Sequence, residues 1–280
     1  MIRKFSPAKV NLHLRVLRKR EDGFHDIITL MQRISLCDEL IFSTIDRGIF
    51  LSCPNSFLPE NEGNIVYRAA QAFLLRISCS RGIHITINKK VPVAAGLGGG
   101  SSNAATTLMT LNEIHGFPVP AHDLMKMASS LGADIPFFIF GKPAWATGIG
   151  DQLHSAESIC PLWFVLITPP FQVSTKMVYE NFNFRLTKRT LNYKSQRLYP
   201  VEDLIKTLHN DLERVTLNIH PMLQHLKALL LKQGAHGALM SGSGPTVFGI
   251  FTEERKASKA EAILREMGTG AWSVFKAHSI

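Results

Sequence analysis

The run Pro92-Val93-Ala94-Ala95-Gly96-Leu97-Gly98-Gly99-Gly100-Ser101-Ser102-Asn103-Ala104-Ala105 constrains this chain most. So many glycines leave few side chains to pack, so the segment must work through its main chain. Upstream, Ile83, Ile85 and Ile87 alternate with His84, Thr86 and Asn88, the period of a half-buried strand. Downstream, Ala104, Leu108 and Leu111 recur at the spacing of one helix face. Between a strand and a helix start, unpaired N–H groups meet the positive end of the helix dipole and make an anion site suited to phosphate. Ser101 and Ser102 add hydroxyl donors. A flexible Gly/Ser linker does not normally separate two regular elements, which favours the phosphate loop. Neither familiar phosphate motif fits. No lysine follows the glycines as G-x-x-x-x-G-K-[ST] requires, and Gly141-Lys142 leads into Pro143. In G-x-G-x-x-G counted from Gly96 or Gly98, Ser101 or Asn103 takes the last glycine's place.

The chain has 280 residues, and a single core gives way to two domains at about 250–300 residues. With 45% apolar and 19% charged residues, its composition is that of an ordinary globular protein. No apolar run approaches the ~18 residues of a membrane span. The longest, residues 135–140 and 162–168, have the length of core strands. Asn11, His13 and Arg15 interrupt the first apolar stretch, so no signal-peptide core is expected. Cys37, Cys53, Cys79 and Cys160 show no C-x-x-C spacing, which argues against a disulfide framework or zinc site and for the reducing cytoplasm. The net charge is +9, and two basic clusters stand out, Arg15, Arg18, Lys19, Arg20 and Arg185, Lys188, Arg189, Lys194, Arg197. Neither cluster interleaves aromatics, so both read as solvated loops and nucleic acid is disfavoured.

Elsewhere the pattern predicts strands at residues 39–45, 49–53 and 162–167, and helices at 64–76, 124–131, 221–234 and 253–267. Two further strands, 238–240 and 246–251, flank Ser241-Gly242-Ser243-Gly244, and a last one covers 271–276. Gly141, Pro143, Gly148 and Gly150 mark a loop-rich stretch where a domain boundary fits. Strands and helices that do not strictly alternate indicate an α+β fold. Lys9 and Asn11 share the strand face opposite Val10 and Leu12, where a solvated face is the plainer reading. Asp134 lies in Gly132-Ala133-Asp134-Ile135-Pro136, a turn stiffened because Ile135 precedes proline and is pushed into extended backbone. Such an aspartate commonly bonds its own backbone. Ser241 to Gly244 reads equally as a substrate-facing loop or a hairpin turn.

Four segments taken together resemble the GHMP kinases, the group of galactokinase, homoserine kinase, mevalonate kinase and phosphomevalonate kinase. They are residues 92–103, Met240-Ser241-Gly242-Ser243-Gly244-Pro245-Thr246, Lys9-Val10-Asn11-Leu12-His13-Leu14 followed by Arg20-Glu21-Asp22-Gly23-Phe24-His25, and Gly132-Ala133-Asp134-Ile135-Pro136-Phe137-Phe138. The last two are similar to the branch that acts on a cytidine diphosphate-linked methylerythritol. The resemblance implies an α+β two-domain GHMP-kinase fold. Its N-terminal ATP-binding domain, of ribosomal-protein-S5-domain-2 type, would span 1–155 and its ferredoxin-like C-terminal domain 156–280, with the active site in the cleft between them. It also implies ATP as co-substrate with Mg²⁺, small-molecule partners, no membrane, and a monomer or weak homodimer. By position, Asp134 matches the catalytic base and Lys9 its partner, and residues 92–102 the ATP phosphates. Asn64 and Ile65 match the adenine side, Asn11 the erythritol end, Phe24, His25 and Tyr179 the cytosine pocket, and Thr175 a further substrate-side position. Phe24 stands where many members have tyrosine, which keeps stacking and loses a phenol hydrogen bond. Ala94 and Ala95 stand where the wider group often has glycine, a change of little weight if only backbone is used. The rival implications are a mevalonate- or homoserine-type kinase, or a non-catalytic nucleotide- or nucleic-acid-binding regulator on the same scaffold.

Overall fold

The computed structural model describes residues 1–54, 56–156, 159, 161–183, 198 and 200–280. Cys160 and the basic cluster Arg185, Lys188, Arg189, Lys194 and Arg197 lie outside the described residues. Two compact units are each built from separate stretches. The first holds Met1–Ala8, Cys37–Pro92 and Gly98–Gly141, the second Lys9–Leu36, Val93–Leu97 and Lys142–Ile280. The cause is two long strands, β1 (Ile2–Lys19) and β2 (His25–Ile45), whose residues belong partly to one unit and partly to the other.

In the first unit β4 (Gly82–Asn88) pairs antiparallel with Glu39 to Ile45 of β2 and parallel with β3 (Ile49–Ser52). Ile83, Ile85 and Ile87 are buried while His84, Thr86 and Asn88 are half-buried, as their alternation requires. Helices α1 (Ile65–Arg76), α2 (Gly99–Ile114), α3 (Ala121–Leu131) and α4 (Ile135–Phe140) complete this unit. α2 packs against both α1 and α4, so more than its Ala104–Leu108–Leu111 stripe is buried: Ser102, Thr106, Thr107 and Thr110 are too. Helix α4 corrects the expected core strand and the extended Ile135. Pro136 sits in the first turn, where its missing N–H has no helical role, and Gly141 closes the helix at φ 73°. A six-residue apolar run does not reveal its period, and these two flanking residues decide it.

In the second unit β5 (Ala144–Thr147) and β6 (Gln152–Ser155) form a hairpin where only loop was expected; Gly148 and Gly150 supply positive φ in its turn. Then come β7 (Trp163–Thr168), α5 (Thr175–Glu180), α6 (Val201–Thr207), β8 (His209–Asn210), α7 (Glu213–Ile219), α8 (Met222–Lys232), β9 (Gly237–Met240), β10 (Val247–Phe251), α9 (Glu254–Met267) and β11 (Ser273–His278). Strands β7, β9, β10 and β11 make an antiparallel sheet in the order β11-β7-β10-β9. With α8 and α9 this is the βαββαβ ferredoxin-like arrangement. Its core joins Val165 and Ile167 to Leu226 and Leu230 of α8 and to Ala257, Ala260 and Leu264 of α9. The short helices α5, α6 and α7 had not been read from the sequence; α5 packs Val178 and Tyr179 with Leu14, Val16 and Ile27.

Strand β8 pairs parallel with β1, matching His13 with His209. His13, 3% exposed, gives its Nδ1–H to the Thr207 carbonyl at 2.6 Å, and its buried Nε2 has no hydrogen-bond partner among the described residues. Burial lowers its pKa to about 4, against the opposing Thr207 hydrogen bond, with His209 and Arg15 adding to the lowering and Asp211 opposing it. Above the ordinary histidine value both folded and unfolded chains hold this ring neutral. As pH falls through ~6.5 the unfolded chain takes up the proton first, so about 3 kcal/mol of stability is lost between that pH and ~4. Denaturant titrations across this range should show that loss, and His13→Asn should flatten it; an unchanged slope in the variant would assign the loss to other groups.

Candidate active site

In the second unit three of the four motifs meet. Val93–Leu97 is a tight loop with Ala94 at φ 52° and Gly96 at φ 78°. Left-handed backbone costs Ala94 about 1–2 kcal/mol, so alanine in place of glycine there is not the minor change expected of a backbone-only loop. Gly96 admits no side chain, because a Cβ would lie 2.1 Å from the Ser241 carbonyl oxygen. Ser241 Oγ donates to the Gly96 carbonyl at 2.9 Å, Thr246 N–H to the Ala95 carbonyl at 3.3 Å, and Lys9 N–H to the Leu97 carbonyl at 2.9 Å. Ser241 to Gly244 join β9 to β10, with Ser241 N–H bonded to the Thr246 carbonyl at 2.9 Å. A Cβ on Gly242 would come within 3.4 Å of Asn11 Oδ1 and 3.6 Å of Lys9 Nζ. The segment is thus a hairpin turn that also faces Lys9 and Asn11.

Those two side chains are 4% and 3% exposed, which overturns the solvated face. Lys9 Nζ donates to Asn11 Oδ1 at 2.5 Å, Asn11 Nδ2 to Thr29 Oγ1 at 2.8 Å, and Thr29 Oγ1 to the His13 carbonyl at 2.7 Å. A buried ammonium needs such bonds to offset its lost hydration. Of the other sequence-predicted residues of this unit, His25 and Tyr179 form a ring pair. His25 stacks on Tyr179 with ring centroids 4.8 Å apart at 27°, next in sequence to Phe24, which is 59% exposed. Burial, and then the Lys19 charge, hold the His25 pKa below its ordinary value. Phe24 N–H donates to Asp22 Oδ1 at 3.1 Å, while Arg18 and Arg20 bind Asp22 and Asp26 across the β1–β2 connection. Arg18 and Arg20 of the basic cluster are therefore paired with carboxylates. Helix α5 carries both Tyr179 and Thr175, whose Oγ1 lies 2.8 Å from Ser243 Oγ.

The first unit holds the start of α2. Gly98 caps it at φ 68°, and Ser102 N–H is bonded to the Gly98 carbonyl, so the N–H groups of Gly99, Gly100 and Ser101 have no carbonyl within the helix to meet. Ser102 is fully buried and its Oγ accepts from Ser6 Oγ at 2.8 Å, an internal bond. A Cβ on Gly100 would lie 3.7 Å from Ile65 Cγ2, which brings the starts of α1 and α2 side by side. Asn64 caps α1 by accepting Val66 N–H at 3.0 Å and gives its Nδ2 to the Pro59 carbonyl at 2.9 Å. Asp134 is half-buried at the start of α4.

Sequence reasoning missed Lys89 and Asp38. Asp38, fully buried on β2, accepts Lys90 N–H at 2.7 Å and Val91 N–H at 2.8 Å on one oxygen and pairs with Lys89 Nζ on the other. A Cβ on Gly99 would come within 3.2 Å of Lys89 Nζ, so the pair lies against the first residue of α2. The available signal was the acidic pair Asp38-Glu39 between apolar stretches of one strand and a lysine pair just ahead of Pro92.

Residues 64–142 match the model of the GHMP kinases N terminal domain, and residues 191–270 that of GHMP kinases C terminal. The 4-diphosphocytidyl-2-C-methyl-D-erythritol kinase of Syntrophus aciditrophicus is 56% identical over 280 residues, the whole of both chains. That of Syntrophotalea carbinolica is 47% identical over 272 residues, 96% of each chain. A crystal structure of 4-(cytidine 5'-diphospho)-2C-methyl-D-erythritol kinase superposes with a TM-score of 0.86 at 32% identity, covering 99% of each chain.

Asp38→Asn removes the counter-charge from a lysine whose side chain is 9% exposed. Loss of one partner of a buried ion pair costs about 3–5 kcal/mol, and urea unfolding of the variant should show it; a loss below 1 kcal/mol, on the scale of an exposed pair, would mean that the pair is solvated.

Proposed function

The chain belongs to the GHMP kinases, within the family of 4-diphosphocytidyl-2-C-methyl-D-erythritol kinases, and from that premise we propose that it transfers the γ-phosphoryl group of ATP to the 2-hydroxyl of 4-(cytidine 5'-diphospho)-2-C-methyl-D-erythritol, in the non-mevalonate route to isoprenoid precursors. Phosphoryl transfer asks for positioning and charge neutralisation more than for covalent chemistry. Residues 92–102 receive the ATP phosphates on main-chain N–H groups, with Asn64 and Ile65 on the adenine side. Because the Asn64 amide is engaged within the protein, its contribution is to hold Ile65 in place. Phe24, His25 and Tyr179 receive the cytosine, Asn11 the erythritol end, and Thr175 a further part of the substrate.

A carboxylate is too weak a base to strip an alcohol in advance. Asp134 therefore accepts the hydroxyl proton as the new P–O bond forms, while the Lys9 ammonium stabilises the developing charge. Mg²⁺ would enter as an ion carried on the nucleotide, since it needs only one or two carboxylates besides phosphate oxygens. It supplies charge neutralisation. Residues 1–155 act as the N-terminal ATP-binding domain and 156–280 as the C-terminal one. The enzyme works in the cytoplasm on small molecules, without nucleic acid, as a monomer or weak homodimer. Among the described residues no helix is long and apolar enough to cross a membrane.

The observation that supports the cytidine substrate best is the stacked His25–Tyr179 pair beside Phe24, which a kinase of mevalonate or homoserine would not need. ADP release by the purified protein with the cytidine substrate, and not with mevalonate or homoserine, is the expected result; equal rates with mevalonate would overturn it. Asp134→Ala should lower turnover by about 10²–10⁴-fold with the KM for ATP little changed, and near-normal turnover would remove the base assignment. Phe24→Ala should weaken binding of the cytidine substrate by about 1–3 kcal/mol if the ring stacks on the base. An unaltered KM would place the cytosine elsewhere.

A further inference from the structure

We propose that Asn210, Glu213 and Thr216 are positioning residues for the transfer step, acting as a clamp that fixes the Ser241 to Gly244 turn against Lys9 and Asn11. Asn210 ends β8, and Glu213 and Thr216 lie on α7. Asn210 Nδ2 donates to the Met240 carbonyl and to the Gly242 carbonyl, each at 2.8 Å, while its Oδ1 accepts Leu212 N–H at 3.0 Å. Glu213 Oε1 accepts Met240 N–H at 2.9 Å and the Lys227 ammonium at 2.8 Å. Thr216 Oγ1 donates to the Ser243 carbonyl at 3.1 Å. One short stretch of chain thus grips the N–H and carbonyl of Met240 and the carbonyls of Gly242 and Ser243. Asn210 and Thr216 are buried, and the Glu213 side chain is 13% exposed.

The turn needs such a grip. Gly242 and Gly244 stand at φ 57° and 86°, and a glycine-rich turn has the most alternative backbone states to exclude. Its positioning matters because a Cβ on Gly242 would reach Asn11 Oδ1, the Gly96 carbonyl and Lys9 Nζ within 3.4, 3.4 and 3.6 Å. Ser243 Oγ meets Thr175 Oγ1. A hairpin whose sole task was to link β9 and β10 would have no use for holders directed at the atoms beside a buried lysine. None of the three holders faces the substrate in this assignment, so each acts through the turn. The inference rests on the kinase reading above for Lys9 and Asn11.

Thr216→Val keeps the shape and removes the donor, Thr216→Ser restores the hydroxyl, and Asn210→Asp removes the double donor. Thr216→Val and Asn210→Asp should each lower kcat about tenfold, with the KM for ATP and for the cytidine substrate within about twofold of wild type. Amide hydrogen exchange at residues 241–244 should quicken about tenfold in Thr216→Val, and Thr216→Ser should restore both readouts. Wild-type kcat in Thr216→Val, or equal impairment in Thr216→Ser, would overturn the proposal, the latter by marking a loss of packing. If Asn210→Asp fails to fold, the threonine pair decides. If the wild-type protein does not phosphorylate the cytidine substrate, the kinase reading fails, and unchanged exchange in Thr216→Val would separately overturn the clamp.

Discussion

The contact between the Gly96 main chain and the Ser241 carbonyl fixes the architecture of the second unit's site. A Cβ at Gly96 would lie 2.1 Å from that oxygen, so two main-chain turns touch where ordinary packing would interpose a side chain. Once they touch, Ser241 Oγ closes on the Gly96 carbonyl and Thr246 N–H on the Ala95 carbonyl. Lys9 and Asn11 then lie beside Gly242. An alanine at position 96 would have to push the turns apart and would also hold left-handed backbone, two costs on one residue. The constraint explains why the chain carries two glycine-rich segments far apart in sequence: they are the two halves of one contact.

Much of this was legible in the sequence, and the limits have physical causes. The strand of Ile83, Ile85 and Ile87 and the helix beginning at the glycines follow from periodicity, because each has a solvated or half-buried side that the pattern marks. The long helices α1, α8 and α9 carry stop or cap residues in Asn64, Pro221 and Gly268. Helix α4 escaped because all its residues are apolar, and only Pro136 and Gly141 distinguish helix from strand. The buried state of Lys9 and Asn11 escaped because alternation assigns residues to faces and does not reveal that both faces of β1 are covered. Tyr179 and Thr175 entered only through resemblance; α5 is too short for a period to emerge.

The polar residues that matter most divide by what their atoms are bonded to. Asn64, Ser102 and Asn210 have side chains engaged inside the protein, so their contribution is to place neighbours. Phe24 is exposed, and Asp134 is half-buried at the start of α4. Ser102 shows how the distinction works. The sequence suggests its hydroxyl as a donor for phosphate, and in the folded chain its Oγ is buried and accepts from Ser6 Oγ. In the first unit, the main-chain N–H groups of Gly99, Gly100 and Ser101 at the start of α2 have no carbonyl within the helix to meet.

A site made of main chain cannot be adjusted by its own side chains, so its geometry must be held from outside. In the first unit Asp38 accepts the two N–H groups that precede Pro92. In the second, Asn210, Glu213 and Thr216 hold two main-chain groups of Met240, at the end of β9, and two of the turn that follows it beside Lys9. In each case the holders are buried or half-buried hydrogen-bonding side chains remote in sequence from the glycines they serve. Burial makes each bond strong and its loss costly, since a stranded main-chain carbonyl has no water to turn to. It also makes the holders inconspicuous: a single Asp, Asn or Thr among apolar residues carries no spacing signature, whereas glycine runs do. Motif reading therefore finds the cradle and overlooks what keeps it in shape, and the second can be read only from the folded chain.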